Sequence, residues 1–285
     1  TNANGVSKLD VLTNIFIKKA KNLYVKYYYE EITNMFSFSF IFCIWNDIKK
    51  EIALRIDAEP SLKDYLESLI LSKENINEAT AAILASKLNN DALSSIDLYH
   101  IILSSFDENE TIQNSLTNDI IFFRENDPAC KYLSTPLLFY KGFQGLAAYR
   151  SSNILWGLER HTMALFIQNR SSEVFGVDIH PAATIDSPVM IDHATGVVIG
   201  ETAKIKKNVS IFQGVTLGGH SFTQEDRHPK IEEGVSIYAS STILGNVQVG
   251  ANSIVAAGSL VLDNVAANST VCLLYTSDAA DELCR

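Results

Sequence analysis

Along the first half of the chain, apolar side chains recur three and four residues apart, the spacing that lines one face of an α-helix. In Ser61 to Leu71, for example, Leu62, Tyr65, Leu66, Leu69 and Ile70 share a face directly after Pro60, whose fixed φ suits a helix start. The same spacing predicts helices over Ile76 to Leu88, Asp91 to Phe106, Thr111 to Arg124 and Ser134 to Asn169. The stretch from about Trp45 to Arg170 therefore reads as an all-helical domain.

After Val177 the period changes to six. Ile179, Ile185, Ile191, Val197, Ala203, Val209 and Val215 recur in register; after ten extra residues come Ile231, Ile237, Ile243, Val249, Val255 and Val261. A six-residue aliphatic repeat is the signature of a left-handed parallel β-helix, whose short strands point small aliphatic residues into a narrow core. Each coil buries that face only against its neighbours, and several must stack for stability. The fold expected is thus α + β: an N-terminal all-helical domain followed by a C-terminal left-handed parallel β-helix of hexapeptide repeats. In residue terms it comprises an extension (1–40), the helical domain (41–175), the β-helix (176–265) with a protruding loop (220–229), and an atypical tail (266–285). The aromatic run within Phe36 to Trp45 has no assigned role. Being about half as long as a bilayer-spanning helix, it predicts no membrane segment.

Composition narrows the function. Against 33 Asp and Glu stand 23 Lys and Arg, a net charge of −10, so no polyanion-binding surface is expected and nucleic acid is excluded as a partner. The apolar fraction of 47% describes a globular chain. Cys43, Cys130, Cys272 and Cys284 lack CxxC spacing, which points to reduced thiols in a cytoplasmic protein and to no metal site.

Polar residues that interrupt the repeat carry the candidate chemistry. Asp192-His193-Ala194-Thr195-Gly196 puts an acid and an imidazole inside a coil. Asp178 lies fifteen residues earlier, close to one eighteen-residue coil, so an Asp178–His193 pair is expected, the carboxylate orienting a general base. Gly218-Gly219 can present N–H groups to a developing oxyanion, and Arg227 offers a planar fork for a carboxylate. His100, His161 and His180 read as structural or surface residues, and Cys130 as a buried free thiol. Lys204, Lys206 and Lys207 fit either a solvated face or a cofactor phosphate. Tyr27, Tyr28 and Tyr29 read as packing residues.

Several longer segments are specific: Asn126-Asp127-Pro128-Ala129, Tyr132 to Tyr149, Gly176 to Ala182, Asp192 to Gly196, Val215 to Gly219 and Asp226-Arg227-His228-Pro229-Lys230. Through these the sequence resembles the serine O-acetyltransferase family from about Trp45 to Val261. The resemblance implies acetyl transfer from acetyl-CoA to L-serine, with His193 as general base and Asp178 orienting it. It implies that Arg227 and His228 bind the substrate carboxylate, that Asp127 and Asp192 hold its ammonium group, and that L-cysteine inhibits in the same site. Acetyl-CoA, a co-substrate and not a resident cofactor, would lie along the coils near Gly218, Gly219 and Ala239. A homotrimer with sites between β-helices, paired or not into a hexamer, is also implied. The family's tail completes the CoA site and ends in an Ile that docks into cysteine synthase, whereas this sequence ends at Arg285. Two alternatives compete with this reading: a non-catalytic homologue that binds cysteine or regulates cysteine synthase, and a γ-type carbonic anhydrase with zinc on three His.

Overall fold

A computed structural model describes residues 40–220 and 225–275. The extension up to residue 39, its three tyrosines, the loop tip 221–224 and the last ten residues lie outside the described part. The chain divides into two compact units, Thr1–Ile44 and Trp45–Arg285. Of the first, only residues 40–44 are described, and they are helical.

The second unit opens with α1, residues 45–58, and a short irregular helical segment over 60–71. Then follow α2 (Ile76–Leu88), α3 (Ser95–Asp107), α4 (Ile112–Asn126), α5 (Ser134–Phe139), α6 (Lys141–Gly157) and α7 (His161–Phe175). Local chemistry sets the ends. Asn75 accepts from the Glu78 N–H, and Ser94 and Asp97 form a reciprocal capping pair, which is why α3 starts at Ser95 and not at Asp91. Glu51 places its two carboxylate oxygens on the N–H groups of Leu133 and Ser134, capping α5 from another helix. The single helical stretch expected over 134–169 is three helices. Extended backbone at Tyr140 separates the first two, and the turn after Gly157 separates the last two.

Gly176, with φ +68, turns α7 into β1 (Val177–Ile179), the first of fifteen short strands among the described residues. They stack in parallel as three sheets, β1-β4-β7-β10-β13-β15, β2-β5-β8-β11 and β3-β6-β9-β12-β14, so every third strand lies on the same side of a triangular prism. Inward Val, Ile and Leu side chains are almost fully buried along the whole column.

Register departs from the simple sixfold frame in three places. Val177 pairs with Val197, so the first coil takes 20 residues, whereas Val198 pairs with Thr216, 18 residues on. The two extra residues sit in 192–196. They leave the period intact because each strand buries two aliphatic positions, i and i+2, and the frame slips from one to the other. Thr216 then pairs with Thr242, 26 residues on, so the loop inserts eight residues and not ten. Finally, the β-helix does not stop at 265. Thr270–Val271 pairs with β12 (Ile254–Val255) and Leu274–Tyr275 with β13 (Leu260–Val261). A two-residue contraction near Asn264 hides Val265 and Val271 from the frame.

Cysteine usage is also corrected. Cys43 and Cys130 are free, but Cys272 is disulfide-bonded. Pairing of this kind depends on Cβ proximity in space and leaves no trace in spacing. Among the described residues no helix is long and apolar enough to cross a membrane.

One buried cluster locks the helices to the first coil. Asp119 of α4, fully buried, accepts from Arg150 Nε (2.8 Å), Ser187 Oγ (3.0 Å) and the Val189 N–H (3.0 Å), while Arg150 also donates to the carbonyls of Ile185 and Asp186. Burial pushes the Asp119 carboxyl up, and Arg150 and the two other donors pull it back. Gly142 completes the junction, since a Cβ there would overlap the Ile191 carbonyl. The consequence is local: the start of α6 is pressed against the residue preceding Asp192.

Candidate active site

Chemistry-bearing residues gather at two corners of the prism. The first corner follows β3 (Val189–Ile191), where the two-residue insertion bulges out with His193 at φ +55 and Ala194 at φ +60. A cavity of about 390 Å³ opens beside it, lined among others by Phe123, Asp127, Tyr140, Gly142, Asp192 and His193. Asp127 is there because α4 must end. It precedes Pro128, which disfavours helical backbone, and its carboxylate accepts from the Ala129 N–H at 2.8 Å. Tyr140, which no sequence pattern singles out, donates its hydroxyl to Asp127; burial, then that carboxylate, holds the phenol well above its ordinary pKa. Asp192 accepts from the His193 N–H at 2.8 Å, and its other oxygen lies 3.7 Å from His193 Nε2, too far for a hydrogen bond. The His193 side chain is 73% exposed. Lys141 is hydrogen-bonded to Thr195 at the edge of the same corner. Burial also pushes the Cys130 thiol up, away from thiolate chemistry.

The second corner follows β4 (Val197–Ile199). Here Arg227 donates to Glu201 at 2.8 Å, and this hydrogen bond holds the Glu201 carboxyl below its ordinary range. His228, only 7% exposed, rests over Gly200, where any Cβ would overlap its ring; its Nε2 also faces Gly219. Burial, then Arg227, lowers the His228 pKa, so the ring is neutral at pH 7. Lys230 reaches back to Asp226 (2.6 Å) and to the Thr202 carbonyl (3.0 Å), fastening the base of the loop.

The expected Asp178–His193 pair does not form within one chain. Because the first coil is two residues longer than the repeat implies, Asp178 stands opposite Val198, and its carboxylate accepts from Gln168 Nε2 at 2.7 Å. The remaining expected residues are divided. Asp127, Asp192 and His193 share the first corner, to which register also assigns Ala239, two coils up the column from His193. Arg227, His228 and Gly219 share the second, with Gly218 on the strand that leads into it. Tyr140, Gly200, Glu201 and Thr202 escape the sequence pattern. The first lies inside the specific Tyr132 to Tyr149 segment, and the others form the coil turn on which the loop closes. Among the described residues no group of three or more His, Cys, Asp or Glu is arranged to hold a metal ion.

A hexapeptide prism with a protruding loop defines the class of hexapeptide-repeat acyltransferases, and residues 228–263 match the model described as bacterial transferase hexapeptide (six repeats). Residues 44–148 match the model described as serine acetyltransferase, N-terminal. Serine acetyltransferase 2 of Arabidopsis thaliana is 45% identical over 228 residues, covering 80% of this chain and 71% of its own. A crystal structure of Neisseria gonorrhoeae serine acetyltransferase in complex with serine superposes with a TM-score of 0.78 at 43% identity, over 80% of this chain and 93% of that one. Two further solved serine acetyltransferases, one complexed with CoA and one with cysteine, each give a TM-score of 0.79 at 42% and 43% identity. They cover 82% and 80% of this chain and 97% and 95% of theirs. The chain belongs to the serine acetyltransferase family, and its prism is the left-handed parallel β-helix.

Proposed function

We propose that the chain transfers the acetyl group of acetyl-CoA to the hydroxyl of L-serine, giving O-acetyl-L-serine and CoA, with L-cysteine competing for the serine site. One observation carries this reading: two carboxylates, Asp127 and Asp192, line a single cavity beside an exposed imidazole. Such a pair suits an ammonium group, and His193 beside it can take the proton of a neighbouring hydroxyl. That oxygen attacks the thioester carbonyl; collapse of the tetrahedral adduct expels the thiolate of CoA, which recovers the proton from the imidazolium. No enzyme nucleophile is needed, in keeping with the raised pKa of Cys130. Asp192 is the carboxylate beside His193 within the chain, and Asp178, bonded to Gln168, takes no part in these steps. The solved relatives complexed with serine, CoA and cysteine support the choice of ligands.

Carboxylate recognition belongs to Arg227 and His228 at the other corner. From Gly196 to Gly200 the chain follows β4 along one side of the prism, roughly 13 Å at about 3.3 Å per residue. The ammonium and carboxylate of an amino acid hang on one carbon and cannot span it. A complete site therefore takes the acidic corner of one chain and the basic corner of another, which a homotrimer supplies with a copy of the site at each interface. The test is release of free CoA thiol from acetyl-CoA. The reading requires release that depends on L-serine and falls when L-cysteine is added; serine-independent or absent release contradicts it.

A further inference from the structure

His228 is held in a way that fixes which nitrogen carries its proton. Its Nδ1 lies 3.2 Å from the backbone N–H of Thr202 in hydrogen-bonding geometry. A backbone N–H only donates, so Nδ1 must accept, and the neutral ring carries its hydrogen on Nε2. One coil earlier the same arrangement recurs: His180 Nδ1 accepts from the Ala182 N–H at 3.1 Å. There the imidazole belongs to the corner residue itself. At the equivalent position of the next coil stands Gly200, and the vacant seat is filled by His228 arriving from the loop.

The Thr202 hydroxyl does the rest of the fastening. Its oxygen accepts from the backbone N–H groups of Arg227 and His228, each at 3.1 Å, and lies 2.9 Å from His228 Nδ1. One side chain thus holds the Arg227-His228 step by three contacts. The charged and titratable groups facing the ring are Arg227, Glu201, Lys230 and His180.

We infer that Thr202 is a positioning residue that locks His228 as the neutral Nε2–H tautomer, so that His228 serves the site as a hydrogen-bond donor and not as a proton acceptor. This rests on the proposed reading that His228 meets the substrate carboxylate. It separates the two imidazoles by role: His193, exposed and unpinned, exchanges the proton, while His228 offers a fixed N–H beside the Arg227 fork.

The direct experiment is imidazole nitrogen NMR on the full-length protein labelled with [15N]histidine at pH 8, with His228 assigned by its loss in His228→Gln. A signal with Nδ1 unprotonated and Nε2 protonated is expected; an Nδ1-protonated ring overturns the inference. Kinetics supply the second arm. Thr202→Val removes the hydroxyl and should raise the serine KM about tenfold while leaving the acetyl-CoA KM within about twofold, and Thr202→Ser should restore it. In a His228→Gln background, Thr202→Val should add little, because residues acting through one another are not additive. An unchanged serine KM, or full additivity, overturns the positioning role. If the wild-type protein shows no serine-dependent turnover, the proposed function fails, while the NMR result still decides the tautomer.

Discussion

The two corners are built by opposite means. At the basic corner every contact comes from neighbouring coils and the loop between them: Thr202 and Glu201 from one turn, Gly200 as a seat, Lys230 as a strap. At the acidic corner each group comes from a different element, Asp127 from the end of α4, Tyr140 from the break before α6, and Asp192 and His193 from an insertion in the prism. The first is pinned by local hydrogen bonds, and its imidazole is buried. The second depends on tertiary packing of helices against the first coil, and its imidazole stands in solvent. A proton-transfer group benefits from access, whereas a group that only recognises benefits from being held, and the two designs match the two roles.

Substitutions can break that contrast, beginning with the largest effect. His193→Ala should lower kcat by roughly 10² to 10⁴-fold, the usual contribution of a general base, with unchanged circular dichroism because the side chain packs against little. A variant retaining near-normal turnover would assign the base elsewhere. Asp119→Ala leaves Arg150 buried without its partner and should cost about 3–5 kcal/mol by denaturant unfolding. The acidic corner should suffer with it, and a stability loss below about 1 kcal/mol, the scale of an exposed pair, would show that the cluster locks nothing. Gly200→Ala places a methyl group where the His228 ring rests and should raise the serine KM by about tenfold or more at little cost in kcat.

Smaller effects sharpen the picture. Burial keeps the His228 pKa below the ordinary 6.5, so its charge appears only as pH falls beneath that value. The part of the serine KM that depends on His228 should therefore be flat from pH 8 down to 6.5. An inflection traced to His228 above 6.5, by its absence in His228→Gln, goes against a neutral donor. Cys130→Ser should leave kcat within about twofold, since a thiol with a raised pKa is no nucleophile. A large loss of turnover would reopen the question of a covalent intermediate.

Most of the architecture is legible in the sequence because it rests on periodicities. Helical spacing and the sixfold aliphatic repeat follow directly from how side chains alternate between core and solvent. What escapes is register. A strand that buries both i and i+2 lets a two-residue insertion pass without breaking the period, so the bulge carrying His193 is hidden and the repeat sets Asp178 beside it. Asp127, Asp192, Arg227 and His228 are legible as polar residues in specific segments. Tyr140 and Thr202 are not, because a Tyr before a helix and a Thr in a turn have ordinary structural uses, and their roles come from partners distant in sequence or one coil away. Gly200 looks like any turn glycine until the ring it accommodates is seen.

The central claim, that a working site takes one corner from each of two chains, can be tested by mixing inactive proteins. His193→Ala disables the acidic corner and Arg227→Ala the basic one, and each alone should be nearly inactive. Unfolded together in equal amounts and refolded as mixed trimers, they should regain about a quarter of the wild-type serine-dependent CoA release, because one interface in four then joins two intact corners. No recovery from the mixture, with mixed trimers verified by mass, would place the whole site within a single chain and contradict the account.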